Sequence, residues 1–181
     1  MNTFKTNQPV SDEEIEEATR ILSKFEPGYM PFPLFLALTR LVVHSIIEIV
    51  PVRYNEKGTL EVLLLQRDKD DILWPSMWHN PGCVVLATDL PEGDEAAFRR
   101  IAQNELDMNP ENLKPVYVSH LVHRTRRGAE SAKIFFAELT TIPKNGSFFA
   151  ADALPDGTIE SHVPIIMTAV AQYRAMKEEV A

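Results

Sequence analysis

Trp78-His79-Asn80-Pro81-Gly82-Cys83 and, beyond an acidic loop, Arg100-Ile101-Ala102-Gln103-Asn104-Glu105-Leu106-Asp107-Met108 are the two stretches on which the fold turns. The first ends a segment, Arg67 to Pro81, in which Asp68, Asp70, Asp71, Trp74, Pro75 and Trp78 make a loop composition with aromatic anchors. The second closes a helical pattern over Asp94 to Leu106. There Ala97, Ile101 and Leu106 can form one buried stripe while Arg99, Arg100 and Gln103 face elsewhere.

Working outward, β-branched and apolar residues fill Val42 to Val52, and the turn signal Asn55-Glu56-Lys57-Gly58 separates them from Leu60 to Gln66, which predicts a hairpin. Two more strand-like runs, Val116 to Val122 and Lys133 to Leu139, flank the basic turn His123-Arg124-Thr125-Arg126-Arg127-Gly128. A final helix near Pro164 to Glu178 carries Ile166, Val170 and Tyr173 on one face. At the other end, Ser11 followed three residues later by Glu14 is a capping box. Ile15, Ala18, Leu22 and Phe25 then recur at helical spacing up to Pro27-Gly28. Leu34 to Leu41 reads equally as a short helix or an extended apolar segment. This order of elements predicts an α+β layered domain over 41–181, preceded by an N-terminal helical extension over 1–40.

A chain of 181 residues, 45% hydrophobic and 24% charged, is long enough to bury roughly 70% of its unfolded surface without disulfides. Its one cysteine, Cys83, excludes an internal disulfide and a cysteine-rich zinc cluster. A net charge of -8 repels a nucleic-acid polymer at long range while leaving room for a local basic patch on a small phosphorylated ligand. The uncharged run Tyr29 to Thr39 is 11 residues long, well short of the roughly 20 that cross a bilayer, and the acidic N-terminal region has no signal-peptide pattern. These features predict a soluble cytoplasmic protein with no membrane partner.

The two opening stretches together resemble the Nudix hydrolase superfamily, whose box has the form G-x5-E-x7-R-E-U-x-E-E-x-G-U, U being aliphatic. Trp78 to Cys83 looks like its entrance, Arg100 to Met108 like its helical half, and Glu92 stands eight residues before Arg100. Leu60 to Arg67 is similar to the family's strand ending in an arginine, and Phe149 to Pro155 to its late aromatic-x-x-Asp-x-Leu-Pro turn. The resemblance implies an α/β/α sandwich around a mixed β-sheet. It also implies a magnesium- or manganese-assisted pyrophosphatase that hydrolyses a nucleoside-diphosphate-linked compound, and often a homodimer.

The same resemblance implies three helix carboxylates sharing one metal cluster at positions 101, 104 and 105. The hard cation prefers charged oxygens, and residues spaced i, i+3 and i+4 share a helix face. Here those positions are Ile101, Asn104 and Glu105, so the box is degenerate. The expected catalytic residues are Glu105, Glu92 and Arg100, with Glu105 the residual ligand of a weakly bound Mg²⁺ or Mn²⁺ and Glu92 bracing the loop against the arginine. Arg67, Trp78, Arg124, Arg126 and Arg127 are the expected substrate-binding residues, since arginine forks match phosphate geometry. Each has a plainer alternative: Glu105 as an ion-pair partner of Arg99 or Arg100, the arginine turn as a solvated loop, Trp74 and Trp78 as packing groups. Glu48, an acid in the middle of an apolar strand, needs a partner if buried. Cys83 follows Pro81, an order that argues against the cysteine nucleophile of the isopentenyl diphosphate isomerases. A non-catalytic module of the same fold, binding a nucleotide or a partner protein, is the alternative to hydrolysis.

Overall fold

A computed structural model of the chain describes residues 10–179. Its centre is β1 (His44–Tyr54), which changes antiparallel partner halfway along. Ile46, Ile47 and Glu48 face Val84, Cys83 and Gly82 of β4 (Gly82–Val84), and Val52 to Tyr54 pair with β2 (Leu60–Gln66) across the predicted Asn55–Gly58 turn. On its other edge β1 runs parallel to β6 (Ala129–Glu138), which pairs antiparallel with β5 (Val116–Arg124). The short strands β3 (Trp78–His79) and β7 (Ser147–Ala150) both add to β2. One parallel pairing among antiparallel ones makes the sheet mixed, as the resemblance implied.

Both faces of β1 are apolar, so each is covered. Val50 and Val52 join Ile165, Ile166, Ala169, Val170 and Tyr173 of the closing helix α4 (Val163–Glu178) in one buried cluster. Ile47 and Ile49, of opposite parity, meet Ala97, Phe98, Ile101, Ala102 and Leu106 in the other. Those five come from α3 (Asp94–Arg100) and the turn that continues it, so the layers are helix, sheet, helix.

The extension forms α1 (Asp12–Leu22) and α2 (Phe32–Thr39), which decides the Leu34 to Leu41 segment as helix. The Ser11 capping box is present in both directions, with Glu14 N–H donating to Ser11 Oγ and Ser11 N–H to Glu14 Oε2. No residue of α1 is buried, however, and Ile15 and Leu22 stay open to solvent. Among the described residues two hydrogen bonds tie the extension to the domain, and the Phe35 ring packs edge-on against His44. Thr39 Oγ1 donates to the Arg127 carbonyl, and the Tyr29 hydroxyl accepts from Arg100 Nη1 at 3.2 Å. Gly128, at φ 150°, makes the first contact feasible, because a Cβ there would sit 2.1 Å from the Thr39 carbonyl oxygen.

Candidate functional site

The helix expected to carry the ligands does not stay α-helical. After Arg100 it widens into a π-turn over Ile101–Glu105, closed by Leu106 N–H donating to the Ile101 carbonyl at 3.1 Å. Asp107, at φ 45°, then ends it, and Met108 N–H returns to the Ala102 carbonyl. This is the left-handed terminus an aspartate tolerates. The three ligand positions consequently face three environments. Ile101 is fully buried in the core, Asn104 points to solvent, and only Glu105 is turned inward. Its Oε2 accepts the Gly82 N–H at 3.1 Å, and burial pushes its carboxyl up to about 7.

The arginine is braced, but not by the expected acid. Arg100 Nε and Nη2 lie 3.2 and 2.5 Å from the two oxygens of Asp89, and Nη2 also donates to the Val84 carbonyl. Glu92 instead pairs with Arg99 at 2.5 Å on the surface. The signal for Asp89 was in the spacing: five residues separate it from Cys83, as in G-x5-E, so the three additional residues fall between the acid and Arg100.

Sequence reasoning also missed a buried polar network where β1 changes partner. Glu48 is 2% exposed, and its Oε2 accepts from Asn80 Nδ2 at 2.7 Å. Asn80 Oδ1 stands 2.8 Å from His162 Nδ1, and the Asn80 carbonyl 2.8 Å from His79 Nδ1. Burial lowers both imidazoles, His79 to about 4, so each ring is neutral and donates from Nδ1. The 3.8 Å approach of His162 to Glu48 is therefore no ion pair. The same burial pushes the Glu48 carboxyl up to about 8. Gly82 is what lets this carboxyl fit, since a Cβ there would lie 2.4 Å from Glu48 Oε2. Gly82 thus stands between Glu48 on one side and Glu105 on the other.

The basic turn does not converge on one point. Arg124 is exposed, and Arg126 is exposed and reaches across to the Leu73 carbonyl at 2.8 Å. Arg127 turns inward, pairs with buried Glu130 at 2.8 Å and lies over the Trp74 ring. Trp74 is buried, and Arg67 lies over it too, 5.7 Å from the ring centre. Trp78 is half-buried, packed edge-on against Phe149. Cys83 is half-buried, and burial holds its thiol up at about 12, far from a thiolate.

Two cavities meet at Glu105. A polar one of about 610 Å³ is lined by Gln66, Arg67, Trp78, His79, Asn145 and Ser147. In its wall Arg67 Nε is buried without a hydrogen-bond partner, the nearest carboxylate being Asp71 at 3.5 Å. The other, about 670 Å³, lies under the extension. Metal fit follows from the donor set. Among the described residues no group of three or more His, Cys, Asp or Glu side chains could hold an ion, and the one inward helix carboxylate is already hydrogen-bonded to backbone. The residues present do not fit the family's divalent cation. Among the described residues no helix is long and apolar enough to cross a membrane.

No protein-family model matches the chain, and no curated protein matches its sequence. Solved structures do. A mutT/nudix family protein from Listeria innocua is 19% identical, with 76% of this chain and 96% of that one covered at a TM-score of 0.59. The NUDIX domain of Shewanella oneidensis NrtR, complexed with ADP ribose, is 16% identical over 86% and 97% at 0.58. A Caenorhabditis elegans Ap4A hydrolase, in a binary complex, is 20% identical over 74% and 99% at 0.54. The mixed sheet held between α4 and α3, the arginine strand running into the Trp78 to Cys83 entrance, and these likenesses together give the chain the Nudix fold.

Proposed function

We propose that the chain is a Nudix-fold module that binds a small nucleotide-type phosphorylated ligand without metal-assisted hydrolysis. The observation that carries this reading is the placing of the three helix positions, one in the core, one in solvent and one hydrogen-bonded beneath β4. A diphosphate bound through a metal needs several converging carboxylates, and one does not suffice. Binding without a metal needs donors, and Arg67, its side chain 30% exposed, lines the polar cavity with a guanidinium. The ADP ribose in the similar NrtR domain supports a ligand of this type. A second reading, residual hydrolysis, is favoured by Glu105 lying in that same wall.

Isothermal titration with ADP ribose and a chromatographic assay for its hydrolysis to AMP and ribose 5-phosphate test the reading together. Binding is expected with no turnover in Mg²⁺ or Mn²⁺, and a charge-assisted bond lost in Arg67→Ala should weaken it about tenfold in a variant that still folds. Metal-dependent turnover abolished in Glu105→Gln would establish the hydrolase instead.

A further inference from the structure

Apolar surface is left open along the N-terminal extension. More than half of the exposed large apolar side chains among the described residues lie between Val10 and Val43. Ile15, Ala18, Leu22 and Phe25, three or four residues apart, make one stripe along α1 and the turn after it, and Leu22 and Phe25 carry that stripe into the cavity under the extension. Phe32, Phe35 and Leu38 of α2 continue the wall. The space is a half-open groove, and its stripe from Ile15 to Phe25 is about three helical turns long. An 11-residue helix is marginal in water unless its apolar face packs on something, yet no residue of α1 is buried. Contiguous open apolar surface rimmed by polar groups marks an interaction site.

Charge around the groove selects what covers it. Arg100 and Arg127 line it, but Asp89 and Glu130 already match them. Glu26 and Glu105 line it as well. Six acidic and three basic side chains lie between Val10 and Val43, and among the described residues Glu13, Glu16 and Glu26 have no ion-pair partner. The surplus is therefore negative. A second copy would bring the same acids onto the same patch, with a net charge of -8 on each chain. Anionic lipid headgroups are repelled for the same reason. A helix with cations beside an apolar face satisfies both the stripe and the acids.

We infer that the groove between the extension and Cys83 to Ala87 is a docking surface for one amphipathic, basic helical segment of a partner protein, with its apolar residues on the stripe and its lysines or arginines on the acids at the rim. This surface does not rest on the phosphorylated-ligand reading, whose cavity shares only Glu105 with the groove.

Fluorescence anisotropy of the full chain with a labelled leucine–lysine helical peptide of about three turns tests this. Two control peptides are used, one with the same composition but its leucines scattered round the helix, the other with glutamate in place of lysine. Saturable binding of the first peptide is expected, at least about tenfold tighter than either control. Leu22→Ser and Phe25→Ser remove apolar groups that are exposed and outside both core clusters, and each should weaken the peptide about tenfold or more in a chain that still folds. Glu16→Gln combined with Glu26→Gln should weaken it about threefold and flatten its salt dependence. ADP ribose titrations should be unchanged in Phe25→Ser, so failure of either reading is seen separately. Absence of saturable binding would overturn the inference. Equal affinity for the scattered-leucine peptide, or for folded Leu22→Ser and Phe25→Ser, would overturn it too, leaving only attraction between opposite net charges. So would self-association in sedimentation, or binding to phosphatidylcholine vesicles, that Phe25→Ser abolishes, since either would give the groove to a second copy or to a membrane.

Discussion

Ile101→Glu combined with Asn104→Glu is expected to unfold the domain rather than to rebuild a metal site. Restoring the family's acids on paper places a carboxylate at a position with no solvent exposure, among Ile47, Ile49, Leu63, Ala97 and Phe98. No cation in that cluster can pair with it. An uncompensated buried charge costs on the order of 3–5 kcal/mol, and the lost isoleucine burial adds about 2 kcal/mol, against a total stability of roughly 5–15 kcal/mol. Asn104→Glu alone changes an exposed side chain and should move stability by less than about 0.5 kcal/mol. Urea melts of the two single variants separate these effects. Ile101→Glu should regain part of its stability as pH falls and the new carboxyl protonates. A folded double variant with a tight Mn²⁺ site would mean that the π-turn does not dictate where residue 101 points.

Glu48→Gln is expected to stabilise the protein increasingly as pH rises. The folded carboxyl is pushed up to about 8 by burial, while the unfolded one titrates at its ordinary value of 4.5. Between those two values the folded state binds the extra proton, so wild-type stability is fullest at low pH and is lost as pH climbs towards 8. With about 1.4 kcal/mol per unit, the loss between pH 5 and pH 8 is on the order of 3 kcal/mol. Glutamine resembles the protonated acid and keeps an oxygen for Asn80 Nδ2, so the variant should match the wild type near pH 5 and exceed it by about that amount at pH 8. Chemical denaturation at the two pH values reads the difference directly. Equal slopes of stability against pH in both proteins would mean that Glu48 is ionised and compensated in the folded state.

The elements that set the architecture were legible because each carried a local signal. The Ser11 capping box, the Asn55–Gly58 turn and the two apolar parities of β1 all lead from sequence to geometry through contacts a few residues apart. The site was only half legible. Glu105 could be placed by its spacing, but the π-turn that separates it from Ile101 arises from how the helix packs, and no periodicity announces it. Assigning the bracing acid to Glu92 went wrong because the three extra residues were put on the wrong side of it, where five residues counted from Cys83 reach Asp89. The network of Glu48, Asn80 and His162 joins residues up to 82 positions apart, and only the tertiary fold brings them together. Three arginines in one turn suggested a common target, yet a turn points successive side chains in different directions, and only Arg127 reaches the interior.

The central claim is that the helix no longer holds a catalytic metal. Calorimetric titration of the wild type with Mn²⁺ at pH 8, where Glu105 is mostly ionised, tests it most directly. One carboxylate among neutral groups should give at best roughly millimolar binding, unchanged in Glu105→Gln. A micromolar site that disappears in Glu105→Gln would contradict the account.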